Sequence, residues 1–243
     1  MANDYFQFRQ FTVHQALCGM KVGTDGTLLG SWAHGGRRVL DVGTGTGLLA
    51  LMMAQRCPEA EVLAIDIDEG AAAQAQANVQ ASPFAQRIVV RQTDVRTLAS
   101  DGRADGQTHE SDGLFDAIVC NPPFFIDALT SPDGQRTLAR HACTLTYDEL
   151  MRAAVRLLAA DGELSVVVPF DYCRRMEQAA ALAGLFVSRR CAVKTTPRKS
   201  PRRYLLAFRL HSVADVEERT EVLEVAPGVR SKWYGGLTKD FYL

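Results

Sequence analysis

Asn121-Pro122-Pro123-Phe124 follows directly on the apolar run FDAIVC. Its prolines end whatever strand that run forms, because proline cannot donate to a strand ladder. A plain turn is one reading, since Asn and Pro are common turn residues and an aromatic often covers a core. The other is a reaction centre, in which a side-chain amide and freed backbone carbonyls hold a small polar group beneath an aromatic ring. Further chemistry-bearing residues stand upstream. In VLDVGTGTGLLAL, Asp41 closes an apolar run, and Gly43, Gly45 and Gly47 alternate through a turn into a helical pattern. Glycines let the backbone turn tightly and let a ligand come close. The spacing D-x-G-x-G-x-G differs from the dinucleotide fingerprint and suits a smaller ligand lying across the loop. Asp66 ends the next apolar run, where a carboxylate can accept both hydroxyls of a ribose. Asp94 ends the third and can accept from an adenine amino group. Any one of these could merely cap a helix. Together, in this order, they point to a nucleoside cofactor such as NAD or S-adenosylmethionine.

To hold these groups along one edge the chain needs a sheet. From Arg37 to about Pro169, short branched runs (RRVLDVG, EVLAID, RIVVRQTD, FDAIVC, ELSVVVP) alternate with longer helical patterns. Such runs, bounded by Gly, Asp or Pro, read as buried parallel strands. LLALMMAQRC and EGAAAQAQANVQ have the length and the Ala, Leu and Gln content of helices. The alternation implies βαβ crossovers and an open, doubly wound α/β sheet. YDELMRAAVRLLAADGE adds a helix for which Gly162 is the expected stop, and DYCRRMEQAAALAG adds one closed by Gly184. LFVSRRCAV and RRYLLAFRL have no helix between them, so they are expected to pair as an antiparallel hairpin at one edge. Residues 99–113 are polar and Gly-rich and read as an inserted loop.

The 243 residues, 47% hydrophobic and 23% charged, suit one large globular core. No apolar run reaches membrane-spanning length, and MANDYFQFRQF has neither signal nor transit character, so a cytoplasmic protein is expected. Cys18, Cys57, Cys120, Cys143, Cys173 and Cys191 form no C-x-x-C pair, and the histidines show no ligand spacing. Neither a disulfide framework nor a bound metal is expected. Net charge is -1, yet RRCAVKTTPRKSPRR (189–203) holds seven Lys or Arg and no acid. This segment is either a solvated loop or a phosphate-backbone contact driven by counterion release.

The loop from Asp41 to Gly47, Asp66, Asp94 and Asn121-Pro122-Pro123-Phe124 resemble, in order, the class I methyltransferases that modify exocyclic amines and amides. That resemblance covers about residues 37–210. It implies a Rossmann-like, doubly wound, seven-stranded sheet whose last strand is antiparallel, with S-adenosylmethionine as cofactor. The glycine loop would lie near the methionine part, Asp66 on the ribose and Asp94 on the adenine. The flanks narrow the match. FTVHQALCGMKVGTDGTLLGSWA (11–33) and the terminal KDFYL are similar to the bacterial family that methylates N6 of an adenine in the anticodon loop of valine tRNA. In that family a Met-Lys-Val-Gly-Thr-Asp-Gly block, here Met20 to Gly26, precedes the glycine loop. The resemblance thus extends over nearly the whole of one expected domain (1–243), with a family-specific segment 1–36, a catalytic core 37–210 and an extension 211–243. It places Lys21, Thr24 and Asp25 over the cofactor, although Thr24 or Asp25 could equally cap a helix.

One departure is Phe124, where the family often has Tyr. Because NPPF also occurs in ribosomal RNA guanine-N2 methyltransferases, the tetrapeptide alone leaves the base open. Glutamine-N5 methylation of a protein poses the same chemical problem, and a binding module without chemistry is a further alternative. The basic segment counts against the first of these and the intact motif set against the second.

The resemblance gives the opening tetrapeptide a task. An exocyclic amine whose lone pair is delocalised into a ring is a poor nucleophile. Two acceptors fixed on its N–H bonds favour a pyramidal nitrogen and stabilise the positive charge that grows in the transition state. The Asn121 side-chain oxygen would be one and the Pro122 carbonyl the other, with proline constraining the backbone that aims it. Phe124 would stack on the base. No general base is demanded, because the proton can leave after transfer. Arg198, Lys199, Arg202 and Arg203 are the expected RNA-backbone contacts. Arg140 and His141 could guide a phosphate or only shape their loop.

Overall fold

The computed structural model describes residues 4–16, 21–98, 114–122 and 145–243. Pro123, Phe124, Arg140, His141 and the loop 99–113 lie outside the described residues. A short antiparallel pair, β1 (Tyr5–Gln7) and β2 (Thr12–His14), precedes helix α1 (Thr24–Trp32). The alternating region follows as β3 (Arg38–Val42), α2 (Leu48–Arg56), β4 (Glu61–Asp66), α3 (Glu69–Gln80), β5 (Ile88–Gln92), β6 (Phe115–Cys120), α4 (Tyr147–Leu157), β7 (Leu158–Pro169) and α5 (Cys173–Ala183). After it come β8 (Phe186–Lys194), β9 (Pro201–Arg209), β10 (Glu217–Val222), the small pair β11 (Glu224–Ala226) and β12 (Val229–Arg230), and α6 (Lys232–Thr238).

One eight-stranded sheet runs in the order β10-β8-β9-β7-β6-β3-β4-β5. β9 runs against both of its neighbours, and the other pairings in this sheet are parallel. Seven strands follow the expected plan. The eighth, β10, adds parallel to the outer side of β8, so the hairpin β8–β9 is not at the edge. EERTEV has no apolar alternation to announce a strand, and most of it is exposed. Strand order reverses about β3 and β6, which is where ligands bind at the carboxyl ends of open α/β sheets.

Helix α2 is buried from Leu48 to Ala54, which an amphipathic surface helix would not be. One side lies on the sheet and the other beneath aromatics from both ends of the chain. Phe8, Phe11 and Phe241 share one core with Val39, Leu51 and Met52. Phe8 stacks on Tyr242 with ring centroids 6.0 Å apart, and the Arg9 N–H donates to the Phe241 carbonyl at 2.9 Å.

Helix α4 opens with a capping box. The Thr146 hydroxyl accepts from the Glu149 N–H at 3.2 Å, and the Glu149 carboxylate accepts from the Thr146 N–H at 2.9 Å. It ends at Leu157, so Gly162 is not its stop. Leu158 turns extended (ψ 138°) to pair with Phe115, and the ladder resumes with Glu163 opposite Ala117. Gly162 lies in the irregularity between, where a Cβ would stand 2.7 Å from the Phe115 carbonyl oxygen. Its glycine therefore serves close strand approach. Gly184 does end α5, in the left-handed conformation at φ 87°. No helix among the described residues is long and apolar enough to cross a membrane.

Candidate active site

The turn after β3 takes its shape from three left-handed glycines, Gly43 (φ 68°), Gly45 (φ 55°) and Gly47 (φ 81°). A side chain would be strained at each. A Cβ added at Gly43 or Gly45 would meet nothing within 4 Å, so the loop offers bare backbone to open space. Beneath it lies Asp41, wholly buried. Its Oδ2 accepts from the Thr44 hydroxyl at 2.6 Å and from the Ala50 N–H at 3.0 Å, tying the loop to the first turn of α2. Asp41 thus supports the loop from below and does not reach the cavity above it.

Burial pushes the Asp41 carboxyl up to about 7, against the opposing effect of the Thr44 and Ala50 hydrogen bonds. The unfolded chain releases this proton near pH 3.8, while the folded protein keeps it until about 7. The folded state therefore binds more protons in this window, and the stability from the retained proton, full below pH 3.8, is lost as pH rises through 7. Asp41→Asn does not titrate. The ligand-free variant should gain on the ligand-free wild type between pH 4 and pH 7.5, by on the order of 3 kcal/mol. Paired denaturation midpoints across pH check this, and a pH-independent difference would refute it.

Asp66 ends β4 beside the loop. Its Oδ2 accepts the Gly45 N–H at 2.9 Å and its Oδ1 the Asp68 N–H at 3.0 Å. Lone pairs remain on both oxygens for a ribose. Asp94 stands two residues past β5 and is engaged otherwise. Arg96 donates to it from Nε (2.7 Å) and from its backbone N–H (2.9 Å), and the same guanidinium reaches Glu149 on α4 at 3.2 Å. Although burial opposes it, the Arg96 hydrogen bonds hold the Asp94 carboxyl below its usual range.

A cavity of about 310 Å³ opens above the loop. Its lining includes Lys21, Thr24 and Asp25 from the start of α1 and the segment before it, Gly43 and Gly45 of the loop, and Asn121 and Arg203. Asp66 and Asp94 are not among its lining residues. Thr24 and Asp25 do not cap α1, because the N-cap is Gly23, without a side-chain bond. Asn121, directly after β6, has its side-chain oxygen buried with no hydrogen-bond partner among the described residues. A buried acceptor left unpaired costs about 1–3 kcal/mol, and such an atom in a cavity wall is shaped for a donor that arrives from outside.

The basic segment divides. Arg189 pairs with buried Glu163 at 2.6 Å and stacks on Trp32, and Arg190 pairs with Glu177 and Glu218. Arg203 pairs with Asp25 in the cavity lining, which corrects its expected place on the RNA-facing surface. The two neighbours part at a bulge of β9 against β8, where Arg202 is the unpaired, exposed residue and Arg203 is partly buried against Asp25. Arg198, Lys199 and Arg202 are exposed around the hairpin tip. The register Pro169↔Arg203 puts that tip at the carboxyl edge, beside the cavity.

Sequence reasoning missed Asn78 and Gln15. Buried Asn78 accepts from the His14 N–H at 2.9 Å and donates to the carbonyls of His14 and Thr46, each at 2.8 Å. Gln15 accepts the Val22 N–H at 2.8 Å. Together they fasten the β1–β2 segment to the glycine loop and to the cavity wall. The available clue was an amide on the apolar stripe of α3, between Ala75 and Val79.

Bare backbone over a glycine turn, cavity charges of both signs for an amino-acid tail and an orphan acceptor fit S-adenosylmethionine. With an acidic strand end beside them, at the reversal of a sheet carrying one antiparallel strand, they define a class I S-adenosylmethionine-dependent methyltransferase. Residues 26–196 match the methyltransferase small domain. The chain is 44% identical to the tRNA1(Val) (adenine(37)-N6)-methyltransferase of Bacteroides thetaiotaomicron, over 100% of this chain and 99% of that protein. It is 45% identical to the protein of that name from Phocaeicola vulgatus, with the same coverage. The chain belongs to this methyltransferase family. In fold alone it is similar to a predicted O-methyltransferase from Agrobacterium tumefaciens, with TM-score 0.66 and 19% identity over 89% of this chain and 96% of that one.

Proposed function

We propose that this chain transfers a methyl group from S-adenosylmethionine to N6 of adenine 37 in the anticodon loop of valine tRNA, in the cytoplasm. The observation that carries the reading is the unpartnered Asn121 oxygen in the wall of the cavity that the glycine loop floors. The relatives' shared name favours adenine in tRNA over guanine in ribosomal RNA or glutamine in a protein. Residues 1–243 act as one domain in this reading, with the two flanks joined through the Phe8–Phe241 core.

Bound S-adenosylmethionine supplies an electrophilic methyl carbon on a positively charged sulfur. The remaining work belongs to the chain. Asn121 Oδ1 and the Pro122 carbonyl accept the two N–H bonds of the adenine amine, turn its lone pair toward the cavity and stabilise the charge growing on nitrogen. Phe124 stacks on the base after it leaves the loop stack. Lys21 and the Asp25–Arg203 pair meet the carboxylate and ammonium of the cofactor's amino-acid end, while Gly43, Gly45 and Gly47 admit it closely. Asp66 takes the ribose hydroxyls, and Asp94 takes the adenine amino group with the lone pairs that Arg96 leaves. Arg198, Lys199 and Arg202 contact the RNA backbone, which positions the RNA without reading it; Arg140 is assigned there as well.

A transfer assay on unmodified valine tRNA, followed by nucleoside analysis, tests the reading. N6-methyladenosine at position 37 is the expected product. N2-methylguanosine, or no product on any tRNA, would refute it.

A further inference from the structure

Strand β7 outruns its neighbour β6 at the carboxyl edge. Cys120 pairs with Val166, whereas β7 continues to Pro169 before Phe170 begins a short 3-10 turn. By strand spacing, Phe170 starts roughly 11 Å from Asn121. Phe170 is 44% exposed, although its ring stacks on half-buried Tyr204 of β9, with centroids 5.6 Å apart and planes 23° from parallel. A lone exposed aromatic needs no explanation, but this one is braced on one side by Tyr204 and is otherwise largely open among the described residues. Exposed Arg202 lies near the start of β9, two residues before Tyr204 and next to Arg203, the partner of Pro169. Exposed Arg174, Arg198 and Lys199 belong to the elements that meet at this rim, with exposed Asp171 the acid among them. Aromatic rings interleaved with cations are the surface that single-stranded nucleic acid prefers, because phosphates meet the cations while every base has a face to stack.

We infer that Phe170, braced by Tyr204, is a stacking platform for an unpaired nucleobase of the RNA near the target adenine. The inference rests on the tRNA reading above. Among the described residues, an RNA strand leaving the cavity over the rim between β6 and β7 has this ring beside its path. The contact holds a neighbouring base and so adds to the affinity for the RNA without touching the target.

The test uses the full chain with Phe170→Ala and Phe170→Trp, a valine anticodon stem-loop, and a series of that stem-loop in which each loop nucleotide other than the target is made abasic in turn. Phe170→Ala should raise the RNA Kd and the KM for tRNA about 10-fold, with kcat at saturating tRNA and cofactor affinity unchanged. Phe170→Trp should restore binding. The slope of log affinity against log salt should not move, since no phosphate contact is lost. On the stem-loop lacking the stacked base, wild type and Phe170→Ala should bind alike. Wild-type affinity in Phe170→Ala, failure of Trp to restore binding, or an undiminished penalty on every abasic stem-loop would overturn the platform. These outcomes are separable from failure of the tRNA reading. A wild type that methylates adenine 37 with Phe170→Ala indifferent defeats only the platform, and a wild type that methylates no tRNA while Phe170→Ala weakens RNA binding defeats only the reaction.

Discussion

Asn121→Ala is expected to lower kcat by about 10²–10³-fold, the usual effect of removing one preorganised transition-state partner. The carboxamide oxygen has no structural employment in the described residues, so the loss should fall on the chemical step. Cofactor affinity, measured by calorimetry without RNA, should change little even though Asn121 borders the same cavity. Stability gives a second readout. A buried acceptor without a partner is a cost carried by the folded protein, so the ligand-free variant should be no less stable than wild type. Sites held for function often trade stability in this way. An equal loss of cofactor affinity, or clear destabilisation, would mean that Asn121 builds the pocket and does not hold the amine.

Asp66→Ala should do the opposite and weaken cofactor binding about 10²–10³-fold, since hydrogen bonds to a charged group contribute about 1.5–3 kcal/mol each. Two kinds of contact are lost together. One is the proposed grip on the ribose, and the other is the bond from Gly45 N–H that fixes the loop. Asp66→Asn separates them. Its carbonyl can still accept from Gly45, but its amide then faces the Asp68 N–H, donor to donor, so an intermediate loss is expected. At saturating cofactor both variants should keep most of kcat. Loss of kcat with unchanged cofactor affinity would contradict this division of labour.

Much of the plan was legible because it rests on short-range rules. Branched runs ended by Gly, Asp or Asn-Pro became β3 to β6, and the glycine turn and the stop at Gly184 fell where they were expected, both in left-handed backbone. What escaped depends on partners distant in sequence. Arg202 and Arg203 are neighbours in a uniform charge run, yet only the irregular pairing of β9 with β8 leaves one exposed while the other meets Asp25. Asp41 reads as a ligand until the chain is folded and its carboxyl lies under the loop. Gly162 reads as a helix stop, but what it answers to is the Phe115 carbonyl on another strand. The polar strand β10 is seated by main-chain pairing, which hydrophobic pattern does not record. KDFYL looks like a label for the substrate, whereas in the fold Phe241 is a core residue.

That last placement makes the two flanks one support. Phe8, Phe11 and Phe241 lie far apart along the chain yet share one core, so neither flank packs fully without the other. The segment leading to Lys21 and Asp25 leans on that joint core, and local opening at either flank is expected to loosen the cavity wall and weaken the hold on the methyl donor.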